Sequence, residues 1–313
     1  MDRLSKLASH LAGSESGDQN SGNGIVRGET ASKIFADPDA NLLPLDGGSL
    51  MSMKGKICLV TGGSKGIGRM IASGFVSNGA KVYICSRKGK LCEEVSAELN
   101  QKYGEIAGGS AHSLPGDLSS IEGVVKVVED LKQKEDKLHV LVNNAGATWG
   151  GTLEEFPDAA WEKVMNLNVR HVFNLTQKCI PLLAKAAVLG DPARVVNISS
   201  ADGVRATQSF GPNAAFSYTT SKGAVIHLSK TLTRALAEYN ISVNVIAPGV
   251  FPSQMTKYLI ADDSGKEMMS SSNPLKRVGR TADMAATALY LCSKGGAWTN
   301  GAVITVDGGA HLF

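Results

Sequence analysis

Short apolar runs alternate with longer stretches of helical hydrophobic spacing through most of this chain. The first run covers residues 57–60, and further runs lie at 82–85, 138–142, 195–198, 243–246 and 303–306, with an additional, more polar strand expected around 111–114. Between the runs, apolar residues recur every three or four positions, as on one face of a helix. Strands that are apolar throughout and separated by helices are buried on both faces of a sheet. The pattern therefore predicts a single α/β domain with a doubly wound, parallel, seven-stranded sheet.

The first 53 residues break this pattern. Residues 14–24 consist of Gly, Ser, Asn, Asp, Gln and Glu, which cannot bury enough apolar surface to offset the ordering of the chain. We therefore expect a flexible N-terminal arm over 1–53 and a folded domain over 54–313. Apolar residues at 4, 7, 8 and 11 suggest a short amphipathic helix in the arm. Frequent acidic residues disfavour a mitochondrial targeting peptide, so we expect a cytoplasmic protein, with organellar import as the alternative.

Composition narrows the class of protein. The formal net charge is only +3, and the basic residues are scattered, so a nucleic-acid partner is not expected. No apolar run approaches the roughly 20 residues of a membrane span. The five cysteines and six histidines lack the spacings of a disulfide framework or a metal site, so neither is expected.

A glycine-rich turn follows the first predicted strand and opens a helix. It comprises Gly62, Ser64, Lys65, Gly66, Ile67 and Gly68. Glycines allow a tight turn and the close approach of a ligand, and the helix N-terminus presents N–H groups to a pyrophosphate. The spacing is GxxxGxG rather than GxGxxG, but its place between a strand and a helix predicts a Rossmann-like dinucleotide site.

The end of the second strand indicates which dinucleotide binds. An NAD site usually has a carboxylate there for the ribose hydroxyls, whereas this chain has Ser86 followed by Arg87, and the turn adds Lys65. Cations suit the 2′-phosphate of NADP, which we therefore predict over NAD. The alternative is that Lys65 and Arg87 are solvated surface groups.

A helix predicted over 215–238 carries Tyr218 and Lys222 four residues apart, and hence on one face. A nearby ammonium lowers the pKa of a phenol, which suits tyrosine to proton transfer. Such a pair also occurs by chance on many helices. Here it accompanies the glycine turn, an Asn-Asn-Ala-Gly run at 143–146 and a Ser-Ser pair at 199–200. Together these features indicate a nicotinamide-dependent active site.

The chain resembles the classical short-chain dehydrogenase/reductase family over residues 54–309. It shares ordered motifs at 61–68, 117–118, 143–146, 161–168, 199–200, 218–222 and 248–249. The resemblance implies that Tyr218 is the acid/base, that Lys222 lowers its pKa and holds the nicotinamide ribose, and that Ser200 hydrogen-bonds the substrate oxygen. Asn168 would shape its helix and hold a water in a proton relay linked to Lys222.

The resemblance also implies contacts with the cofactor. These are Asp117 and Leu118 near the adenine, Asn143, Asn144, Ala145 and Gly146 along the adenosine ribose and pyrophosphate, and Pro248, Gly249 and Ser253 at the nicotinamide carboxamide. From the residues alone, Asp117 could instead cap the helix that follows it.

Within the family, residues 250–256 and 273–279 are most similar to 3-oxoacyl-[acyl-carrier-protein] reductases, particularly the rhamnolipid-biosynthesis type and its fungal relatives. This implies an NADPH-dependent reductase that converts a ketone, with a 3-oxoacyl thioester as first choice, to a secondary alcohol. The alternatives are an NAD(P)-dependent alcohol or polyol dehydrogenase and a catalytically silent NADP-binding regulatory protein. Residues 256–272 are expected to form a mobile lid. The apolar side chains of this lid suit contact with an acyl chain, and the alternative is that they pack against the rest of the protein.

Two departures from the family pattern stand out. The loop at 204–215, between Ser200 and Tyr218, is longer than usual and lies beside the substrate, and residues 186–192 are additional. The family's mode of assembly implies a homodimer or homotetramer that pairs through helices around 160–184 and 216–239.

Overall fold

The computed structural model describes residues 45–206, 211–253, 256 and 262–312. In this part of the chain seven parallel strands form one sheet in the order β3-β2-β1-β4-β5-β6-β7. The strands are β1 (Ile57–Thr61), β2 (Lys81–Cys85), β3 (Ser110–Ser113), β4 (Val140–Asn143), β5 (Ala193–Ile198), β6 (Ile241–Pro248) and β7 (Val303–Val306). The predicted seven-stranded parallel sheet is confirmed.

Helices cover both faces of the sheet. They are α1 (Gly47–Leu50), α2 (Gly66–Ser77), α3 (Gly89–Leu99), α4 (Glu105–Ala107), α5 (Ile121–Lys132), α6 (Asp158–Met165), α7 (His171–Ala186), α8 (Ala201–Val204), α9 (Phe216–Leu236), α10 (Asp263–Ser271) and α11 (Thr281–Cys292). Wide π-type turns at Asn100–Gly104 and Asn166–Arg170 extend α3 and α6. None of the helices in the described residues is long and apolar enough to cross a membrane.

The core lies in two layers, one on each face of the sheet. Cys58 and Val60 of β1 pack with Phe75 of α2, whereas Leu59, between them, packs on the other face with Leu131 of α5. Successive residues of a strand point to opposite faces, so a strand that is covered on both sides is mainly apolar. This is the physical origin of the continuous apolar runs in the sequence.

The strand order reverses at β1, which pairs with β2 on one side and β4 on the other. Connections leave this point in opposite directions, so a crevice opens beyond the carboxyl ends of the central strands. The turns after β1, β4, β5 and β6 all reach this crevice, because parallel strands end at the same edge. The fold therefore brings together four motifs that are far apart in the chain.

The predicted elements differ from the observed ones mainly at their ends. The helix predicted over 90–103 widens into a π-type turn at Asn100, whose side chain accepts a hydrogen bond from the Ala111 N–H (2.6 Å) and donates one to the Ala111 carbonyl (2.9 Å). Residues 47–53, assigned to the arm, include the helix α1 and Met53, which is fully buried in the core. Residues 1–44 of the predicted arm, including its short helix, lie outside the described residues.

Candidate active site

Tyr218 and Lys222 lie on the same face of α9 and border the crevice. The Nζ of Lys222 is 5.5 Å from the centroid of the Tyr218 ring. Lys222 is 5% exposed, and its ammonium donates a hydrogen bond to the Ile198 carbonyl (2.8 Å). Burial lowers the pKa of Lys222 to about 8, since a charged group loses its hydration there and no carboxylate in the described residues forms an ion pair with it.

Ser200 lies at the end of β5 and caps α8. Its Oγ accepts a hydrogen bond from the Asp202 N–H (3.1 Å) and is 3.5 Å from the Asp202 carboxylate. Helix α8 packs directly on α9, because a Cβ at Gly203 would lie only 2.6 Å from the carbonyl carbon of Lys222. Ser199 also donates a hydrogen bond to the Lys222 carbonyl (2.7 Å). The strand end that carries Ser200 is thus fixed against the turn of α9 that carries Lys222.

Asn168 lies in the π-type turn that joins α6 to α7, a feature often found at functional sites. Its side chain accepts from the Ala147 N–H (2.8 Å) and donates to the Ala147 carbonyl (2.9 Å) and to Ser221 Oγ (2.9 Å). Ser221 in turn donates to the Tyr218 carbonyl (2.7 Å). Asn168 therefore ties the segment after β4 to α9, while the water that it was predicted to hold stays a prediction.

The glycine turn after β1 is held against the segment after β4. Gly62 adopts a φ of +64°, and a Cβ there would lie 2.6 Å from the Asn144 side-chain nitrogen. That nitrogen donates to the Thr61 carbonyl (2.8 Å), and the N–H groups of Asn144 and Ala145 donate to Thr61 Oγ1 (2.9 and 3.0 Å). Thr61 thus joins the two cofactor motifs. The sequence analysis gave it no such role, although a hydroxyl at a strand end beside glycines was a visible signal.

The start of α2 fits the pyrophosphate of a dinucleotide. Lys65, at the N-cap, has an extended backbone and makes no side-chain capping bond, and no side chain among the described residues accepts from the first N–H groups of the helix. Gly66 follows with a φ of +50°, and a Cβ there would lie 3.0 Å from the Ser253 side chain. Unpaired N–H groups, the helix dipole and a cradle free of side chains are what an anion of this size requires.

A cavity of about 260 Å³ joins the glycine turn to the predicted catalytic residues. Its walls include these predicted residues: Gly62, Lys65, Gly66, Ile67, Asn144, Ala145, Gly146, Ser200, Tyr218, Lys222, Pro248, Gly249 and Ser253. Four further residues line it that the sequence analysis did not single out, namely Ile198, Ser199, Phe251 and Thr256. Thr256 lies 3.0 Å from Ser253, hydroxyl to hydroxyl, which connects the start of the predicted lid to this wall.

Other predicted residues do not line this cavity: Ser64, Gly68, Ser86, Arg87, Asp117, Leu118, Asn143 and Asn168. Asn143 is buried and donates to Thr176 (3.0 Å) and Asn197 (2.8 Å), so its side chain is used within the core, and its predicted place along the cofactor ribose stays a prediction. A polar residue at the end of a buried strand can point into the helix layer, and this choice is made by packing.

Asp117 is exposed and accepts a hydrogen bond from the Ser119 N–H (3.0 Å). The cap of α5 is Ser120, whose Oγ accepts from the Gly123 N–H (3.2 Å). Asp117 therefore shapes the turn before this helix instead of capping the helix itself. Its contact with adenine stays a prediction.

The substrate side is described only in part. Met255, Leu259 and Ile260, expected in the lid, lie outside the described residues, as do residues 207–210 of the long loop. The end of that loop is held in place, because the Gly151 N–H donates to the Ala214 carbonyl (3.1 Å). Met269 of α10 borders a second cavity of about 360 Å³, and Phe251 lines both cavities.

This chain is similar in sequence to known proteins over most of its length. A family model described as enoyl-(acyl carrier protein) reductase matches residues 62–311. The rhamnolipids biosynthesis 3-oxoacyl-[acyl-carrier-protein] reductase of Pseudomonas aeruginosa is 44% identical over 261 residues, which are 83% of this chain and 98% of that protein. The short-chain dehydrogenase/reductase PhomF of Diaporthe leptostromiformis is 34% identical over 280 residues, 83% of this chain and 92% of the relative.

The fold is also similar to that of a solved relative. The RhlG/NADP active-site complex of Pseudomonas aeruginosa superimposes with a TM-score of 0.79 at 44% identity, covering 84% of this chain and 99% of that one. A complex with NADP agrees with the cofactor predicted from Lys65 and Arg87. This chain belongs to the short-chain dehydrogenase/reductase family and is an oxidoreductase, as its ordered motifs predicted.

Proposed function

We propose that this protein reduces a ketone to a secondary alcohol with NADPH, and that its substrate is a 3-oxoacyl thioester. The observation that carries the proposal is the single cavity whose walls contain both the glycine turn and the side chains of Ser200, Tyr218 and Lys222. A hydride donor bound along the turn and a carbonyl bound beside the hydroxyls would meet in this space. Bound NADPH supplies the hydride.

Ser200 and Tyr218 provide the two hydroxyl groups that face the carbonyl oxygen in this proposal. As negative charge develops on that oxygen, both hydroxyls donate hydrogen bonds to it, and Tyr218 transfers its proton. The products are a secondary alcohol and a phenolate on Tyr218, which the Lys222 ammonium stabilises. Lys222 is suited to this role because its cation is buried without an ion-pair partner in the described residues, so its charge is not neutralised by the fold.

Support for a thioester substrate comes from similarity and from the surroundings of the cavity. The Pseudomonas aeruginosa relative is a 3-oxoacyl-[acyl-carrier-protein] reductase, and the match covers nearly its whole length. Apolar surface that suits an acyl chain lies beside the site, contributed by Val250, Phe251, Met269 and Leu275.

We also propose that the chain pairs through α7 and α9 into a homodimer or homotetramer and acts in the cytoplasm. Sedimentation velocity of the purified protein checks the first of these.

The test follows the oxidation of NADPH, and separately of NADH, against 3-oxoacyl thioesters, quinones and simple ketones. Tyr218→Phe should lower kcat by about 10³-fold, because it removes the proton donor and leaves the ring in place. Tyr239→Phe is the matched control, since this tyrosine is 43% exposed on the turn after α9. Turnover that survives Tyr218→Phe would overturn the mechanism. A preference for NADH and alcohols would favour the dehydrogenase alternative, and cofactor binding without turnover the silent one.

A further inference from the structure

Three side chains form a hydrogen-bonded chain behind the predicted 2′-phosphate site. Ser64, in the glycine turn, donates from its Oγ to Ser86 Oγ (2.9 Å). Ser86, after β2, is 3.0 Å from the Sγ of Cys92 in the first turns of α3. Ser64 is 4% exposed and Cys92 is fully buried, whereas Ser86 is partly exposed. The chain thus leads from the interior to Ser86, a partly exposed residue next to the exposed Arg87.

The number of hydrogens in this chain limits what Ser86 can do. A serine hydroxyl has one hydrogen to donate and two lone pairs to accept with. Ser64 already occupies one lone pair. Either atom of the Ser86–Cys92 pair can be the donor, and the Cys92 Sγ also lies 3.8 Å from the Ser86 carbonyl. When the Cys92 thiol donates to the second lone pair of Ser86 Oγ, the Ser86 hydrogen is free to donate to an anion. If the thiol is replaced by a group that cannot donate, the Ser86 hydrogen has fewer constraints on its direction.

We propose that Cys92 is a positioning residue that orients the Ser86 hydroxyl toward the 2′-phosphate and thereby favours NADP over NAD. The inference rests on the proposed cofactor and on the placement of its 2′-phosphate at Ser86 and Arg87. Cys92 itself does not touch the cofactor in this arrangement. It acts through Ser86, and the effect is confined to the nucleotide that has a 2′-phosphate.

Packing alone would give a different result. Cys92 also belongs to the apolar layer formed by β1, β2 and α2, so its removal leaves a small cavity. A cavity of this kind weakens the local structure whichever nucleotide binds, and it affects NADP and NAD alike. A loss of orientation at Ser86 affects only NADP. The ratio of the two affinities therefore separates the two roles.

The experiment measures dissociation constants for NADP⁺ and NAD⁺ by isothermal titration calorimetry, with KM values for NADPH and NADH alongside. Cys92→Ala should weaken NADP⁺ binding by about three- to tenfold, the range of one hydrogen bond, and change NAD⁺ binding less than about twofold. Cys92→Ser keeps a donor and should restore the ratio. Cys179→Ala, at another fully buried cysteine, is the matched control and should leave the ratio unchanged.

A double variant is compared with Ser86→Ala for NADP⁺ binding, so that the test does not depend on how well one single variant folds. Ser86→Ala should remove the same interaction, so Cys92→Ala added to Ser86→Ala should weaken NADP⁺ binding no further. Additive effects, or equal losses for both nucleotides, would overturn the inference. Arg87→Ala tests the placement of the 2′-phosphate separately from the role of Cys92. If this variant leaves the ratio of the NADP⁺ and NAD⁺ affinities unchanged, the 2′-phosphate does not bind at Arg87, and the proposed role of Cys92 fails as well. If Arg87→Ala lowers the ratio and Cys92→Ala does not, only the role of Cys92 fails.

Discussion

Buried cations lie at both ends of the central strands, but among the described residues only those at the amino ends pair with a carboxylate. At the amino ends, Lys56 is 6% exposed and Arg194 is fully buried, and both pair with Asp191. The Lys56 Nζ lies 2.9 Å from that carboxylate, and Arg194 also donates to the Ser293 carbonyl (2.7 Å). At the carboxyl ends, Lys222 is equally buried and is bound by the Ile198 carbonyl alone among the described residues.

The difference separates a paired structural charge from the one to which we assign a functional role. A carboxylate beside a buried cation compensates for lost hydration and fixes the pair in place. Without one, the cost of desolvation remains, which is why the pKa of Lys222 falls to about 8. Asp191 belongs to the additional residues at 186–192, so this departure from the family pattern stabilises the end of the sheet remote from the active site. Three experiments test the contrast.

Replacing Lys222 should have the largest effect on activity. Lys222→Met should lower kcat/KM by about 10³-fold, as expected when the group that supports the acid is lost. At pH 7 the free energy of unfolding should rise by about 3 kcal/mol, because the folded pKa lies below 10.5 and the folded state at that pH holds an unfavourable charge. Steady-state kinetics and urea denaturation measure the two effects. A variant that is both inactive and destabilised would assign Lys222 a structural role.

Removing the Asp191 carboxylate at the amino ends of the strands should have the opposite effects: stability should fall and activity should be kept. Asp191→Asn leaves Lys56 and Arg194 without an anion and should lower the free energy of unfolding by about 3 kcal/mol. Its kcat should stay close to that of the parent. Asp130→Asn is the matched control, because Asp130 pairs with Lys126 on the surface of α5, where a loss below about 0.5 kcal/mol is expected. Equal losses in the two variants would contradict the contrast between buried and exposed pairs.

The smallest effect is a dependence of stability on pH at the amino ends. His139 accepts a hydrogen bond from the Ile57 N–H (2.9 Å), and burial lowers its pKa to about 4, helped by the nearby cations Lys56, Lys137 and Arg194 and opposed by Asp191. The unfolded chain binds this proton near pH 6.5, so the free energy of unfolding should fall by about 2 kcal/mol as the pH is lowered from 6.5 to 4.

The measurement is urea denaturation across this pH range, with His139→Asn as the comparison. The amide oxygen of asparagine can accept the same hydrogen bond but does not titrate, so the variant should lose less stability between pH 6.5 and 4. Asp191 also contributes to acid sensitivity, but the pKa of its carboxyl lies below the ordinary value of 3.8, so its contribution is lost at lower pH. Parallel pH profiles for the parent and the variant would show that His139 is not the group responsible.

The order of elements and the residues that line the candidate active site could be predicted because each leaves a local pattern. The apolar runs predicted the strands, since burial on both faces favours apolar side chains at most positions. Tyr218 and Lys222 were found from their helical spacing, and Gly62 and Gly66 from their place between a strand and a helix. These signals lie within a few residues of one another in the chain, so they can be recognised without knowledge of tertiary contacts.

The remaining features depend on contacts between distant segments. Asn143 could face the cofactor or the core, and only its contacts with Thr176 and Asn197 decide for the core. The role of Thr61 depends on the segment after β4 lying against the glycine turn.

The sequence by itself determined the fold class, the family and the residues that carry the proposed chemistry, because hydrophobic period and motif spacing are local properties. Tertiary structure decided which charges are compensated. Lys56, Arg194 and Lys222 are all cations in the sequence, but Asp191 reaches only the first two. The lost hydration of a buried charge is compensated only by groups that folding brings within a few ångströms, and these groups come from distant parts of the chain.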